Sequence, residues 1–131
     1  MQLNYSFIIP VFNRPQEIRE LLESMLQLNF SSPFEVVIVE DGSTQTSEAV
    51  VDGFKEQLQI SYFKKPNTGP GDSRNFGMEK AGGNYFLILE TLQEGLFCLQ
   101  YGRIVFRLVK FFVINSYREQ VGFHQPVAIL Q

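Results

Sequence analysis

Four short apolar runs, beginning near residues 5, 34, 60 and 84, alternate with segments of helical periodicity. No other feature of the sequence constrains the fold as much. Tyr5-Ser-Phe-Ile-Ile-Pro-Val-Phe12 is nearly all apolar, and Phe34-Glu-Val-Val-Ile-Val39 is rich in β-branched residues, as strands covered on both faces are. Ile60-Ser-Tyr-Phe63 and Tyr85-Phe-Leu-Ile-Leu89 read as a third and a fourth strand. Pro10 is expected to fray the first strand, because it withdraws a ladder donor. Asn13-Arg14-Pro15 reads as a helix start, and Ile18, Leu21, Leu22, Met25 and Leu26 then recur at the spacing of one apolar helix face. Val50, Val51, Phe54 and Leu58 mark a second helix. A third is predicted from Ser73 to Ala81, ended by Gly82-Gly83.

Crossovers between such strands are right-handed and give a mostly parallel sheet. The fold class expected is therefore α/β. In such sheets ligands bind outside the carboxyl ends of the strands, where the strand order reverses. Those ends are Pro10–Asn13, Glu40–Ser43, Lys64–Gly71 and the residues after Leu89, and the informative polar residues cluster at the first three.

Composition narrows the function classes. The 131 residues suit one domain, and 44% hydrophobic residues suffice for a core. A net charge of -3 argues against bulk nucleic-acid binding. Cys98 is the one cysteine, which excludes an intrachain disulfide and a multi-cysteine zinc site and fits a reducing compartment. It sits among apolar residues and reads as buried rather than nucleophilic. His124, the one histidine, reads as a surface or packing residue. No basic leader precedes the first strand, and no apolar run reaches the length of about 18 residues that a membrane span needs.

Three motifs lie at the strand ends, and a fourth run precedes the last of them. They are Phe7-Ile-Ile-Pro-Val-Phe-Asn13, Val37-Ile-Val-Glu-Asp-Gly-Ser-Thr44, Asn67-Thr-Gly-Pro-Gly-Asp-Ser-Arg-Asn-Phe-Gly77 and Tyr85-Phe-Leu-Ile-Leu89. In this order and spacing they resemble the nucleotide-sugar-binding half of the family 2 glycosyltransferases, over about residues 4–90. The resemblance implies the GT-A fold, a three-layer α/β/α sandwich with a Rossmann-like nucleotide-binding half and strand order 3-2-1-4. It implies transfer of a sugar from a nucleotide diphosphate, UDP-linked by the family pattern, to a glycan or lipid-linked acceptor. It places the chain in the cytoplasm or on the inner face of a membrane.

Residue by residue, the resemblance makes Asp41 the acceptor for the imide N–H of uracil, a partner that a carboxylate selects better than an amide or hydroxyl does. The bland alternative is that Asp41 only shapes the Asp-Gly turn. Glu40 stands where the family more usually has Asp and carries less weight. Pro10, Val11, Phe12 and Asn13 would line the base and ribose pocket, with Phe12 as an apolar wall, although strand end and helix cap account for part of that run. Gly69 and Gly71 would let backbone approach the diphosphate. Arg74 would clamp the diphosphate, whereas Lys64 and Lys65 read as a solvated loop in preference to phosphate ligands. Asn75 and Gly77 read equally as structural parts of the third helix. Gly69-x-Gly71 lacks a third glycine at position 74, so no dinucleotide fingerprint is present.

After Leu89 the family places Asp-x-Asp, which holds Mg2+ or Mn2+ on the diphosphate. Here the sequence is Glu90-Thr91-Leu92, so Glu90 is the one candidate metal ligand and its partner position is leucine. A catalytic base is not identifiable. Residues 1–90 carry seven basic and twelve acidic residues, whereas 91–131 carry four and two with no aspartate. The expectation is a nucleotide-sugar-binding domain over 1–90 and a divergent tail over 91–131, arising by truncation, frameshift or artefact and leaving no room for the acceptor half. Leu96 to Ile114 reads either as a helix with Arg103, Arg107 and Lys110 as a basic stripe, or as strands including Phe111-Phe-Val-Ile114. Two alternatives to a transferase stand beside it: a non-catalytic nucleotide-binding module, and a fragment whose tail covers apolar surface in a homo-oligomer.

Overall fold

The computed structural model describes residues 5–27, 32–89 and 111–115. Glu90, Cys98, Arg103, Arg107, Lys110 and His124 lie outside them. The elements are β1 (Tyr5–Val11), α1 (Pro15–Met25), β2 (Phe34–Asp41), α2 (Glu48–Asp52), β3 (Ile60–Lys65), α3 (Pro70–Lys80), β4 (Tyr85–Leu89) and β5 (Phe111–Asn115). They form one sheet in the order β3-β2-β1-β4-β5. The first four strands are parallel in the expected order 3-2-1-4, and β5 adds antiparallel to β4. Phe111–Asn115 thus takes the strand alternative rather than the helical one.

Alternation along the central strands divides the core into two layers. Phe7, Ile9 and Val11 of β1, with Val36 and Ile38 of β2, pack against Ile18, Leu21, Leu22 and Met25 of α1 and Val50 and Val51 of α2. Ile8, Val37, Val39, Phe86 and Ile88 face the other way, against Met78 and Ala81 at the end of α3. Each such aliphatic side chain contributes about 1.5–3 kcal/mol on burial. The three-layer sandwich follows from strands that are apolar on both faces. Phe54 and Leu58 are buried as expected, but in the turns after the short helix α2. Among the described residues no helix is long and apolar enough to cross a membrane.

Four further departures from the sequence expectations concern where elements end and how they pair. First, pairing does not stop at Pro10. The β1–β2 register runs on through Pro10↔Val39 to Val11↔Glu40, whereas the β1–β4 register ends at Ile8↔Ile88. Alternate residues of a parallel strand bond to opposite neighbours, so one missing N–H weakens one side only. Second, Leu26 is exposed, because α1 ends at Met25 and the chain turns away. Third, α3 starts at Pro70 rather than Ser73. Gly69, at φ 102°, turns the chain, and the fixed φ of proline suits the first helical position. Fourth, Gly82 and Gly83 do not end α3 through a left-handed cap. Ala81 leaves the helix in an extended conformation, and the two glycines bring backbone against β1. A Cβ at Gly83 would lie 2.6 Å from Ser6 Oγ and 2.8 Å from the Tyr5 carbonyl carbon. Gly83 N–H donates to Ser6 Oγ (2.9 Å), Ser6 donates to the buried Glu35 carboxylate (2.7 Å), and Gly82 N–H donates to the same oxygen (2.5 Å).

Candidate functional site

The site is built on the carboxyl end of β2. Glu40 and Asp41 are adjacent on the strand, so their side chains leave on opposite faces. Glu40 joins the α1/α2 side and is 1% exposed. Its carboxylate accepts from the Ser43 hydroxyl (2.6 Å), the Ser47 N–H at the start of α2 (2.9 Å) and the Tyr62 hydroxyl of β3 (2.5 Å). Burial, then the hydrogen bond and charge of Glu40, push the Tyr62 phenol well above its ordinary value. Glu40 thereby ties together β2, β3 and the 41–47 loop, and both of its oxygens have partners within the fold.

Asp41 leaves on the α3 side and is 5% exposed. Its Oδ1 accepts from Lys65 Nζ (2.8 Å) and Thr68 N–H (2.9 Å), and its Oδ2 from Gly69 N–H (3.1 Å). Burial alone would raise its carboxyl. The Lys65 hydrogen bond, the Thr68 N–H, the Lys65 charge and the Gly69 N–H outweigh burial and hold it below its ordinary value. The side chain of Lys65 is only 9% exposed. It also donates to the Pro66 carbonyl (3.1 Å) and to the Thr68 hydroxyl, which in turn donates to Asp72. Both lysines lie in β3 rather than in a loop; Lys64 is half exposed and paired with Glu48, as a solvated residue is, whereas Lys65 is not solvated. Asn67 donates its amide to the Asp41 carbonyl (3.0 Å). Gly42, at φ 72°, lets this happen: a Cβ there would lie 2.6 Å from the Asn67 nitrogen.

A second clip joins the ends of β1 and β2. Asn13 has φ 52°, a left-handed conformation that asparagine tolerates. Its side-chain oxygen accepts from Thr44 N–H (2.8 Å), Gln45 N–H (3.0 Å) and the Thr44 hydroxyl (3.2 Å), and its own N–H donates to Ser43 Oγ (2.9 Å). Pro10 and Val11 are buried within β1, and Phe12 beside them is 49% exposed. The structure thus joins Asp41 directly to Gly69, and Asn13 to Glu40 through Ser43. It leaves Phe12 as the exposed apolar surface at the strand ends. Arg74 lies in the second turn of α3, with its guanidinium folded toward Gly71, 3.5 Å from where a Cβ would stand. Gly77 packs α3 on the sheet: a Cβ there would be 2.6 Å from Ile8 Cγ2. Lys65, Thr68 and Tyr62 belong to this network; Thr68 and Tyr62 are not singled out by sequence, and Lys65 reads there as a solvated loop residue. Their partners are 22 to 27 residues away along the chain, and only the sheet brings them together.

The described residues do not offer a cation site. No three His, Cys, Asp or Glu side chains cluster among them, and the carboxylates of Glu40 and Asp41 are engaged by N–H and O–H donors. Among the described residues no step is assigned to Mg2+ or Mn2+, and Glu90, the one candidate metal ligand, lies outside them.

A parallel sheet in the order 3-2-1-4 with helices on both faces defines an α/β protein of the GT-A type. The sequence profile of glycosyl transferase family 2 matches residues 6–91, and this chain belongs to that family. It is 37% identical over 86 residues to an uncharacterized glycosyltransferase of Rickettsia bellii, covering 66% of this chain and 12% of that protein. It is 32% identical over 92 residues to the poly(ribitol-phosphate) beta-N-acetylglucosaminyltransferase TarS of Staphylococcus aureus, covering 68% of this chain and 16% of TarS. The chain thus spans 12 to 16% of the length of these curated relatives. Among solved structures, S. aureus TarS 1–349 in complex with UDP-GlcNAc superposes with a TM-score of 0.62, covering 67% of this chain and 26% of that one. The Pyrobaculum calidifontis mannosyltransferase PcManGT, in complex with GDP-Man and Mn2+, gives 0.60 at 22% identity, covering 69% and 28%; it supports the fold alone.

Proposed function

We propose that this chain binds a UDP-sugar at the carboxyl ends of β1, β2 and β3, as the donor-binding part of a glycosyltransferase acting on a glycan or lipid-linked acceptor. The observation that carries the reading is Asp41, an ionised and nearly buried carboxylate at the end of β2, which the described residues leave with one acceptor position for an imide N–H. Phe12 supplies an exposed apolar wall, and Arg74 with the N-terminus of α3 supplies positive potential for a diphosphate. The 32% identity with TarS, whose crystal structures include complexes with UDP and UDP-GlcNAc, supports UDP as the carrier. Calorimetric titration of the 131-residue chain with UDP tests the reading. Binding that weakens about tenfold or more in Asp41→Ala is expected, because a hydrogen bond to a charged group contributes about 1.5–3 kcal/mol. Unchanged affinity in that variant would remove Asp41 from the site.

Leu92, at the position of the second acidic residue of Asp-x-Asp, favours a second reading: a nucleotide-binding module that holds UDP without a metal and transfers no sugar. Equal UDP affinity with and without Mn2+, together with no hydrolysis of the sugar nucleotide, selects this reading. Metal-enhanced binding with hydrolysis selects the transferase. A chain that binds no UDP at all leaves the oligomerising fragment.

A further inference from the structure

The hydrogen bonds around Asp41 bear on which base the site takes, an inference that rests on the nucleotide reading above. An ionised carboxylate has about four acceptor positions, two on each oxygen. At Asp41 the two on Oδ1 are filled, by Lys65 Nζ at 2.8 Å and Thr68 N–H at 2.9 Å. Oδ2 carries only the Gly69 N–H at 3.1 Å. Among the described residues this leaves one acceptor position, on one oxygen. Rotating the carboxylate by half a turn exchanges two equivalent oxygens against the same three donors, so the count does not change. The donors are themselves fixed. Lys65 is tied to the Pro66 carbonyl and Thr68, Thr68 is tied to Asp72, and Asn67 is tied to the Asp41 carbonyl.

Base edges differ in what they offer such a reader. Uracil presents a single ring N–H. Guanine presents a ring N–H beside an exocyclic NH2, a pair that spans both oxygens of a free carboxylate. Cytosine and adenine present an unprotonated ring nitrogen, which a carboxylate repels. We propose that Lys65 is a positioning residue that determines base specificity: by filling Oδ1 it makes Asp41 a single-acceptor reader, matched to uracil and unable to take the two-donor edge of guanine. Lys65 then acts by excluding the wrong partner as much as by holding the right one.

The test is calorimetry on the full chain with UDP, GDP and CDP. The wild type is expected to prefer UDP over GDP by about tenfold or more, one missing charge-assisted hydrogen bond being enough for that ratio. Lys65→Met is expected to lower the UDP-to-GDP ratio about tenfold, chiefly by gaining GDP, and Lys65→Arg to keep the wild-type ratio. A merely structural lysine would weaken both nucleotides alike, and that outcome, or an unchanged ratio, overturns the proposal. Asp41→Asn supplies a second arm should Lys65→Met not fold. Lys65 and Thr68 N–H require an acceptor at the δ1 position, which fixes the amide oxygen there and turns its NH2 to δ2, giving up the Gly69 bond. That variant is expected to prefer CDP over UDP, and equal weakening of all three nucleotides counts against Lys65 setting the orientation. A wild type that binds no UDP removes the nucleotide reading and this inference together. A wild type that binds UDP, with a Lys65→Met ratio unchanged, removes only the inference.

Discussion

Glu40 and Asp41 are neighbours with opposite duties, and the difference is one of face. Removing Glu40 as Glu40→Ala leaves the buried Ser47 N–H and the part-buried Tyr62 and Ser43 hydroxyls without their acceptor. We expect a loss of about 3 kcal/mol in unfolding free energy, measured by urea titration. Asp41 contributes through its charge. Its folded carboxyl is held below the ordinary 3.8, so its stabilisation is complete above about pH 5, where both folded and unfolded forms are ionised. It is lost as pH falls below about 4 and then through the folded value. The difference in urea midpoint between wild type and Asp41→Asn should therefore be flat from pH 7 to about 5 and shrink below about pH 4. A difference that grows on acidification would contradict the assigned direction.

At the scale of elements, α3 shows how a helix is placed by what it lacks. Alanine in place of Gly77 would gain about 1 kcal/mol of helix propensity. Its methyl would, however, stand 2.6 Å from Ile8 Cγ2 and 3.3 Å from Val39 Cγ2, and overpacking of that kind costs about 1–3 kcal/mol. Gly77→Ala should therefore be destabilising on balance, read as a lower urea midpoint, and a higher midpoint would show that α3 can lift off the sheet freely. The same helix marks what the sequence makes legible. The apolar runs and the helix-face spacing of Ile18, Leu21, Leu22 and Met25 identify strands and α1, because burial patterns repeat at the period of the element. The start of α3 at Pro70 escapes the pattern, because it depends on the turn at Gly69 and not on an apolar stripe. Lys65 escapes for a different reason. A lysine beside a proline looks solvated until β2 and β3 align Asp41 with Lys65 in register.

Across the whole molecule, order should be greatest where the sheet is covered on both faces and paired on both edges. Amides of β1 and β2, both interior strands, are expected to exchange with solvent only through global unfolding. Those of β3, which lies at the edge of the sheet among the described residues, and of the 66–69 loop should exchange faster through local opening. Hydrogen exchange with UDP present should slow Thr68 and Gly69 selectively, and a uniform slowing would place the nucleotide elsewhere. The central position of β1 also has a consequence for synthesis. Its partner in the β1–β4 register, Tyr5↔Tyr85, is made about eighty residues later. At roughly 5–20 residues per second on the ribosome, β1 waits about 4–16 s with its β4 edge open, while the elements that cover its faces, α1, α2 and α3, emerge one after another. The nascent chain is most vulnerable to aggregation and most dependent on chaperones during that interval, so a substitution that weakens the β1–β2 pair should lower the yield of soluble protein before it alters any property of the finished fold.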